Sequence, residues 1–148
     1  MKIYLFLSIF WWISASNWHH NLEEAKSIAQ RDHKFILLNF SGSDWCGPCI
    51  RMQKEIFDSK SFIGFSDTSL VLVNADFPRM KKNQLSVSQQ ELNNRMAEDY
   101  NSQGKFPYTL LLDERGRLLR AWDGFTNERP EDFIVDIQNI IQSRSSSK

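Results

Sequence analysis

Lys34-Phe35-Ile36-Leu37-Leu38-Asn39-Phe40, followed by Ser41-Gly42-Ser43-Asp44, by Trp45-Cys46-Gly47-Pro48-Cys49 and by Ile50 to Phe57, is the stretch that decides the fold of this chain. Its first piece is an apolar run of strand length. Its last has helical periodicity through Ile50, Met52, Ile56 and Phe57, so the Cys-x-x-Cys pair stands at a strand-to-helix junction. Cys46 and Cys49 are the only cysteines in the chain, spaced to close one small disulfide ring, which points to chemistry rather than to a staple. At a helix N-terminus, unsatisfied backbone N–H groups and the helix dipole favour negative charge on the Cys46 sulfur. Lowering a thiol pKa from about 8.5 to about 7 is worth roughly 2 kcal/mol and leaves about half of it as thiolate at neutral pH. Cys49, one turn further in, is expected to be the less exposed, resolving thiol.

A length of 148 residues, 41% of them hydrophobic, suffices for one domain with a real core and is short for two. Ile3 to Ala15 is an apolar run behind Lys2 that ends in Ser14-Ala15-Ser16, the layout of a secretory signal peptide cleaved near Ala15 or Ser16. A membrane anchor is the competing reading, but the run falls short of the ~20 residues that cross a bilayer as a helix. Residues 1–16 are therefore expected to be a leader and 17–148 the domain, exported to a periplasmic or similar compartment. Outside the cytoplasm thiols meet oxidising conditions, and no cysteine is left for a structural disulfide unless the motif itself is one. The formal net charge is zero, which gives no sign of a nucleic-acid or membrane-surface partner.

Along the rest of the chain, Asn21-Leu22-Glu23-Glu24 reads as a capped helix start, with Leu22, Ala25, Ile28 and Ala29 at helical spacing to about Arg31. Ser69 to Ala75 is an almost unbroken β-branched and apolar run, so it predicts a strand buried on both faces and parallel to the first, joined by a right-handed crossover. Pro78 to Leu85 is polar and basic and predicts a loop, either contacting substrate or simply solvated. Ser88-Gln89-Gln90-Glu91 offers a capping box for a helix that buries Leu92, Met96 and Tyr100. Tyr108–Asp113 and Arg117–Trp122, joined through Glu114-Arg115-Gly116, form a hairpin, and Pro130 opens a last helix carrying Phe133, Ile134, Ile137, Ile140 and Ile141 on one face. The element order is αβαβαββα, an α/β architecture with a central mixed sheet flanked by helices, and the Ser145 to Lys148 tail should fray.

With Trp45-Cys46-Gly47-Pro48-Cys49 at a helix start, Lys105-Phe106-Pro107-Tyr108 before the hairpin, and Gly116 and Gly124 spaced across it, the chain resembles the thioredoxin superfamily from about Leu22 to Gln142. Phe40 to Cys46 and the charged excursion after Asp76-Phe77-Pro78 are more similar to exported bacterial disulfide isomerase-like members than to the short cytoplasmic form. The resemblance implies a thioredoxin-like fold, a cis Pro107 facing the cysteines, and a substrate-facing surface made of Trp45, Gly47, Pro48, Phe106 and Pro107. Pro107 has no N–H to pair with, which leaves the Phe106 backbone to an extended substrate segment. Departures are equally legible. Asn39 stands where thioredoxin buries an aspartate, and the lysine partner of that aspartate is replaced within Val71 to Val73. Asp44 is expected to be exposed and a weak substitute. Gly104-Lys105-Phe106-Pro107 is one residue longer than the family's approach to its proline, and Tyr108 replaces a threonine.

The implied chemistry is attack of a Cys46 thiolate on a disulfide-containing protein substrate, followed by Cys49 attack on the Cys46 sulfur, with neither metal nor organic cofactor. Gly-Pro between the cysteines resembles the reducing end of a family whose potentials run from about −270 to about −120 mV, a gap worth roughly 7 kcal/mol for two electrons. A reductase or isomerase in an oxidising compartment must be re-reduced, which implies a membrane-linked thiol electron donor. A disulfide-forming oxidase is the alternative within the class, and a non-catalytic interaction module the alternative outside it. A metal site is the weakest reading: structural zinc takes four ligands, no second cysteine pair exists, and His19, His20 and His33 lie away from the motif. A monomer is expected, since no uncovered apolar stripe demands a dimer.

Overall fold

Phe35–Ser41 forms the central strand, β2, because its apolar side chains, broken only by Asn39 before the terminal Ser41, can be buried only between two layers. In the computed structural model, which describes residues 17–125 and 127–145, β2 pairs in parallel with β3 (Leu70–Asp76) and antiparallel with β4 (Tyr108–Leu112). A two-residue strand, β1 (Trp18–His19), adds in parallel to β3, and β5 (Leu118–Asp123) adds antiparallel to β4, giving the sheet order β1-β3-β2-β4-β5. The expected signal peptide lies outside the described residues, as does the end of the serine tail.

Two helical layers cover the sheet, and the alternation of side chains along β2 sorts them. Ile36, Leu38 and Phe40 face α1 (Leu22–Asp32) and α4 (Val87–Tyr100). Leu37 faces α2 (Gly47–Met52), α3 (Lys60–Ser69) and α5 (Pro130–Ser145), where Phe57, Phe62, Phe133 and Trp122 form a chain of tilted and edge-on ring contacts. The expected helices and strands are present, with β1 and α3 added. The third strand begins at Leu70, since Ser69 closes α3, and α4 is capped by Ser86 rather than by Ser88: the Gln89 N–H donates to Ser86 Oγ at 3.2 Å.

One irregularity bears on the site. After Met52 the helix widens into a π turn over Gln53–Phe57, with the Asp58 N–H reaching back to Gln53 O at 2.8 Å. Met52, Ile56 and Phe57 then all face inward, whereas Ile50, expected on that buried face, is 48% exposed beside the cysteines.

The far end of the sheet is held by a buried carboxylate. Asp113 accepts hydrogen bonds from the Arg115 and Arg117 N–H groups at 2.9 Å each, and from Arg117 Nε at 2.6 Å, with Arg144 at 3.5 Å. Burial alone would raise its pKa, but the Arg117 and Arg115 donors outweigh burial and hold it below the ordinary carboxylate value. Its contribution is complete above the unfolded pKa of about 3.9 and is lost as pH falls through the lower folded value. Asp113→Asn is expected to lower stability by about 2 kcal/mol in urea unfolding at neutral pH, with the two proteins converging as pH falls below the ordinary carboxylate range. Equal stability at neutral pH would contradict this role. Gly116 completes the turn at φ +84, where a Cβ would meet Lys26 Cε at 2.6 Å.

Candidate active site

Cys46 lies just past the C-terminal end of β2, where the chain turns tightly: Trp45 N–H and Cys46 N–H both donate to Gly42 O, at 3.2 and 2.9 Å. Cys46 itself is extended and caps α2. Its sulfur accepts the Cys49 N–H at 3.2 Å, so a backbone donor is aimed at the atom where charge would develop. Gly47 and Pro48 form the exposed first turn, where a missing proline N–H costs nothing. The sulfurs are bonded at 2.06 Å across a Cα–Cα distance of 5.2 Å. Both cysteines are 5% exposed, so the expected difference in burial is absent. Hydrogen bonding and surroundings set them apart instead: Cys46 is flanked by Trp45, while Cys49 lines a cleft of about 490 Å³ with Ser41, Ser43, Ile50 and Asn74.

Trp45 is half-buried and joins three parts of the site. Its indole N–H donates to Phe77 O at 2.7 Å, its ring meets the Phe106 ring edge-on at 5.4 Å, and the Arg79 guanidinium lies 3.6 Å over its face. The ring also packs against Gly42, where a Cβ would fall 2.3 Å from it. Phe106 is half-buried and joined to Pro107 by a cis peptide, as the resemblance implied, whereas Pro107 itself is buried and Tyr108 half-buried. The Pro107 carbonyl accepts the Gly124 N–H at 2.9 Å, and among the described residues nothing bonds to the backbone of Phe106. The extra residue before the proline is held by Asn101, whose side chain accepts from Lys105 N–H and donates to Lys105 O, both at 2.9 Å.

The side chains bonded to Asn39 beneath the motif are neutral, while the Asp76 carboxylate accepts from Ser41 Oγ at 3.2 Å and the Ser43 N–H at 2.8 Å beside them. Asn39, 3% exposed, donates to Asn74 Oδ1 at 3.1 Å and accepts from Thr109 Oγ1 at 3.0 Å, and the same hydroxyl lies 3.8 Å from the Met52 sulfur. Both the amide nitrogen and the amide oxygen of Asn39 thus have a partner that is neither a carboxylate nor an ammonium. Asp44 is half-buried rather than exposed and is fully engaged: it accepts from the Arg79 and Met80 N–H groups and from Asn83 Nδ2, all at 2.9 Å. These donors, the Arg79 N–H first, hold its carboxyl below the ordinary range. It ties down the 78–85 segment, which carries a short 3-10 turn at Lys81–Asn83. Among the described residues no cluster of three His, Cys, Asp or Glu side chains could hold a metal ion. Sequence reading missed Gly42, which acts through a close backbone approach, Asn101, whose side chain braces Lys105 four residues on, and Asn74 and Thr109, which act across 35 or more residues.

The same architecture recurs in known proteins. A thioredoxin-like family profile matches residues 17–113, which run from β1 through β4 and include the whole motif. The chain belongs to the thioredoxin-like family. This thioredoxin-like chain is 38% identical over 121 residues to the disulfide bond reductase DsbH of Chlamydia pneumoniae, covering 82% of this chain and 70% of that protein. It is 27% identical over 128 residues to the thioredoxin-related protein DsbJ of the same organism, covering 86% of this chain but 36% of that one. The solved structure of a DsbH oxidoreductase matches it with a TM-score of 0.77 at 31% identity, covering 92% of each chain. Joined to the bonded Cys46–Cys49 pair, these likenesses make the thioredoxin-like chain a protein-disulfide oxidoreductase working by thiol-disulfide exchange.

Proposed function

We propose that the chain is a protein disulfide reductase, with isomerase activity where a substrate offers a second pairing, acting in an exported compartment. The observation that carries the reading is the Cys46 sulfur, accepting the Cys49 N–H, bonded to Cys49, and set beside Trp45 and a Phe106 backbone to which nothing bonds among the described residues. In the reduced protein the Cys46 thiolate attacks one sulfur of a substrate disulfide and expels the other as a thiolate, which takes a proton. Cys49, deprotonated, then attacks the Cys46 sulfur, and the second substrate sulfur leaves. Two electrons pass to the substrate and the Cys46–Cys49 bond forms. Trp45, with the edge of Phe106, supplies the apolar floor on which the cystine lies. Gly47 and Pro48 form the exposed turn beside Cys46, and the Phe106 backbone pairs with the substrate strand.

Asn39, Asn74 and Thr109 orient one another without exchanging a proton at neutral pH, so the Cys49 proton leaves through the polar cleft that this residue lines. Export rests on the leader-like residues 1–16, which leave one thioredoxin-like domain from residue 17, monomeric in this reading. A membrane-linked dithiol donor restores the reduced pair. The reducing direction draws support from Gly47-Pro48 and from the likeness to a protein called a disulfide bond reductase.

Equilibration with glutathione tests that direction. The Cys46/Cys49 couple is expected near the thioredoxin end, about −270 mV, where the dithiol is a donor. A value near −120 mV would make the protein an oxidant and overturn the reductase reading.

A further inference from the structure

The segment from Phe77 to Gln90 holds Arg79, Lys81 and Lys82 and no acidic residue, in a chain whose formal net charge is zero. All three cations are exposed, and among the described residues none has a carboxylate within ion-pair distance. Arg31, Arg51, Arg117 and Arg129, by contrast, each have one at 2.9 Å or less. An unpaired charge run on a floppy loop is a solvated surface. This one is held in place. Asp44 takes three donors from it, the Phe77 carbonyl takes the Trp45 indole N–H, and Gln84 Nε2 donates to Pro78 O at 3.2 Å and Met80 O at 3.4 Å. The clamp residue, Asp44, directly precedes Trp45-Cys46 in sequence, so the cations are fixed to the loop that carries the attacking sulfur.

We propose that this segment is a recognition platform for acidic substrate sequence, binding an aspartate or glutamate close to the cystine being reduced. The proposal rests on the reductase reading above. One face of the Arg79 guanidinium lies on Trp45, which leaves its N–H edge to grip a carboxylate in two-pronged fashion. Trp45 touches both Phe106 and Arg79, so a strand paired with the Phe106 backbone passes within a few residues of the guanidinium. Each residue of an extended chain advances about 3.3 Å, which puts the favoured carboxylate about two or three residues from the reacting cysteine. Lys81 and Lys82, a turn further out, add a longer-range field that raises the encounter rate and fades with salt. Asp44 does not cancel this field at contact range, because its oxygens are turned into the loop and occupied by donors.

The test uses the protein from residue 17 onward and three disulfide-bridged peptides of equal length, with acidic, neutral or basic residues flanking one cysteine. Reduction is followed with dithiothreitol as donor, and binding is followed by Trp fluorescence with the same peptides carrying serine for cysteine. At low salt the acidic peptide is expected to exceed the basic one about tenfold in kcat/KM and in affinity, falling to about twofold or less near 0.5 M salt. Lys81→Glu with Lys82→Glu is expected to bring the acidic-to-basic ratio below one, and Arg79→Gln to lower affinity for the acidic peptide with the fold intact by thermal unfolding. Equal turnover and equal binding of the three peptides by the unaltered protein would overturn the platform and leave the reductase standing. Charge-selective binding without reduction of any peptide would overturn the reductase reading and leave the platform standing.

Discussion

Cys46→Ser is expected to lower disulfide reduction by at least about 10³-fold, because a serine hydroxyl forms no anion near neutral pH and cannot enter the sulfur exchange. Position is not what the variant loses. The helix cap, the Trp45 seat and the Phe106 backbone do not depend on the sulfur, and serine is itself a good N-cap, so the Cys49 N–H keeps a partner. A fall in activity with little change in thermal stability beyond the loss of the small disulfide ring therefore reads on chemistry alone. Insulin reduction with dithiothreitol as donor is the assay, and activity within about tenfold of the unaltered protein would remove Cys46 from the reaction.

Gly42→Val carries the second large effect, and it works without touching a sulfur. A Cβ at position 42 would stand 2.3 to 2.6 Å from three atoms of the Trp45 indole, too close for any accommodation short of moving the ring. Moving it breaks the 2.7 Å bond to Phe77 O, unstacks Arg79 and withdraws the edge contact with Phe106, so the apolar floor and the cationic rim are lost together. The expected result is a roughly 10- to 100-fold loss of kcat/KM on a protein disulfide, in line with misplacing a binding surface, while exchange with a small aromatic disulfide changes little. A loss equal on both substrates would mean that the substitution had disturbed the cysteines themselves. Trp fluorescence should report the displaced ring directly.

These expectations draw on features of very different visibility. The β2–motif–α2 unit was legible because each part carries a local signal: an apolar run, a turn, an N-terminal Pro48 and helical spacing. The hairpin and α5 were legible for the same reason. Helix α3 was not, since Lys60 to Ser69 contains Gly64 and a cluster of Ser, Thr and Asp with poor helix propensity. It exists because Ser59 caps it and Phe62 and Ser66, one turn apart, are buried. Strand β1 is two residues long and has no period to detect. Ile50 reads as core by type, yet the inward side of its turn is taken by Cys49 and Met52, and the following π turn keeps it outward.

Within the site, the cysteines, Trp45 and Phe106-Pro107 could be read because neighbours in sequence remain neighbours in space. The supports could not. Asn39 finds Asn74 through strand register and Thr109 across an antiparallel pair, and Asp44 finds Arg79, Met80 and Asn83 only once β3 has returned the chain to the motif. A sequence marks the absence of an acidic group at position 39 but not what satisfies the amide in its place. The neutral triad holds the core beneath the disulfide in one hydrogen-bonding pattern.

The direct test of the whole scheme is trapping. Cys49→Ser, mixed with a disulfide-bearing protein substrate, is expected to accumulate a covalent adduct that dithiothreitol releases, and peptide mapping should place the bond at Cys46. Cys46→Ser should accumulate little or none. Adducts formed chiefly through Cys49 would contradict the assignment of Cys46 as the attacking sulfur.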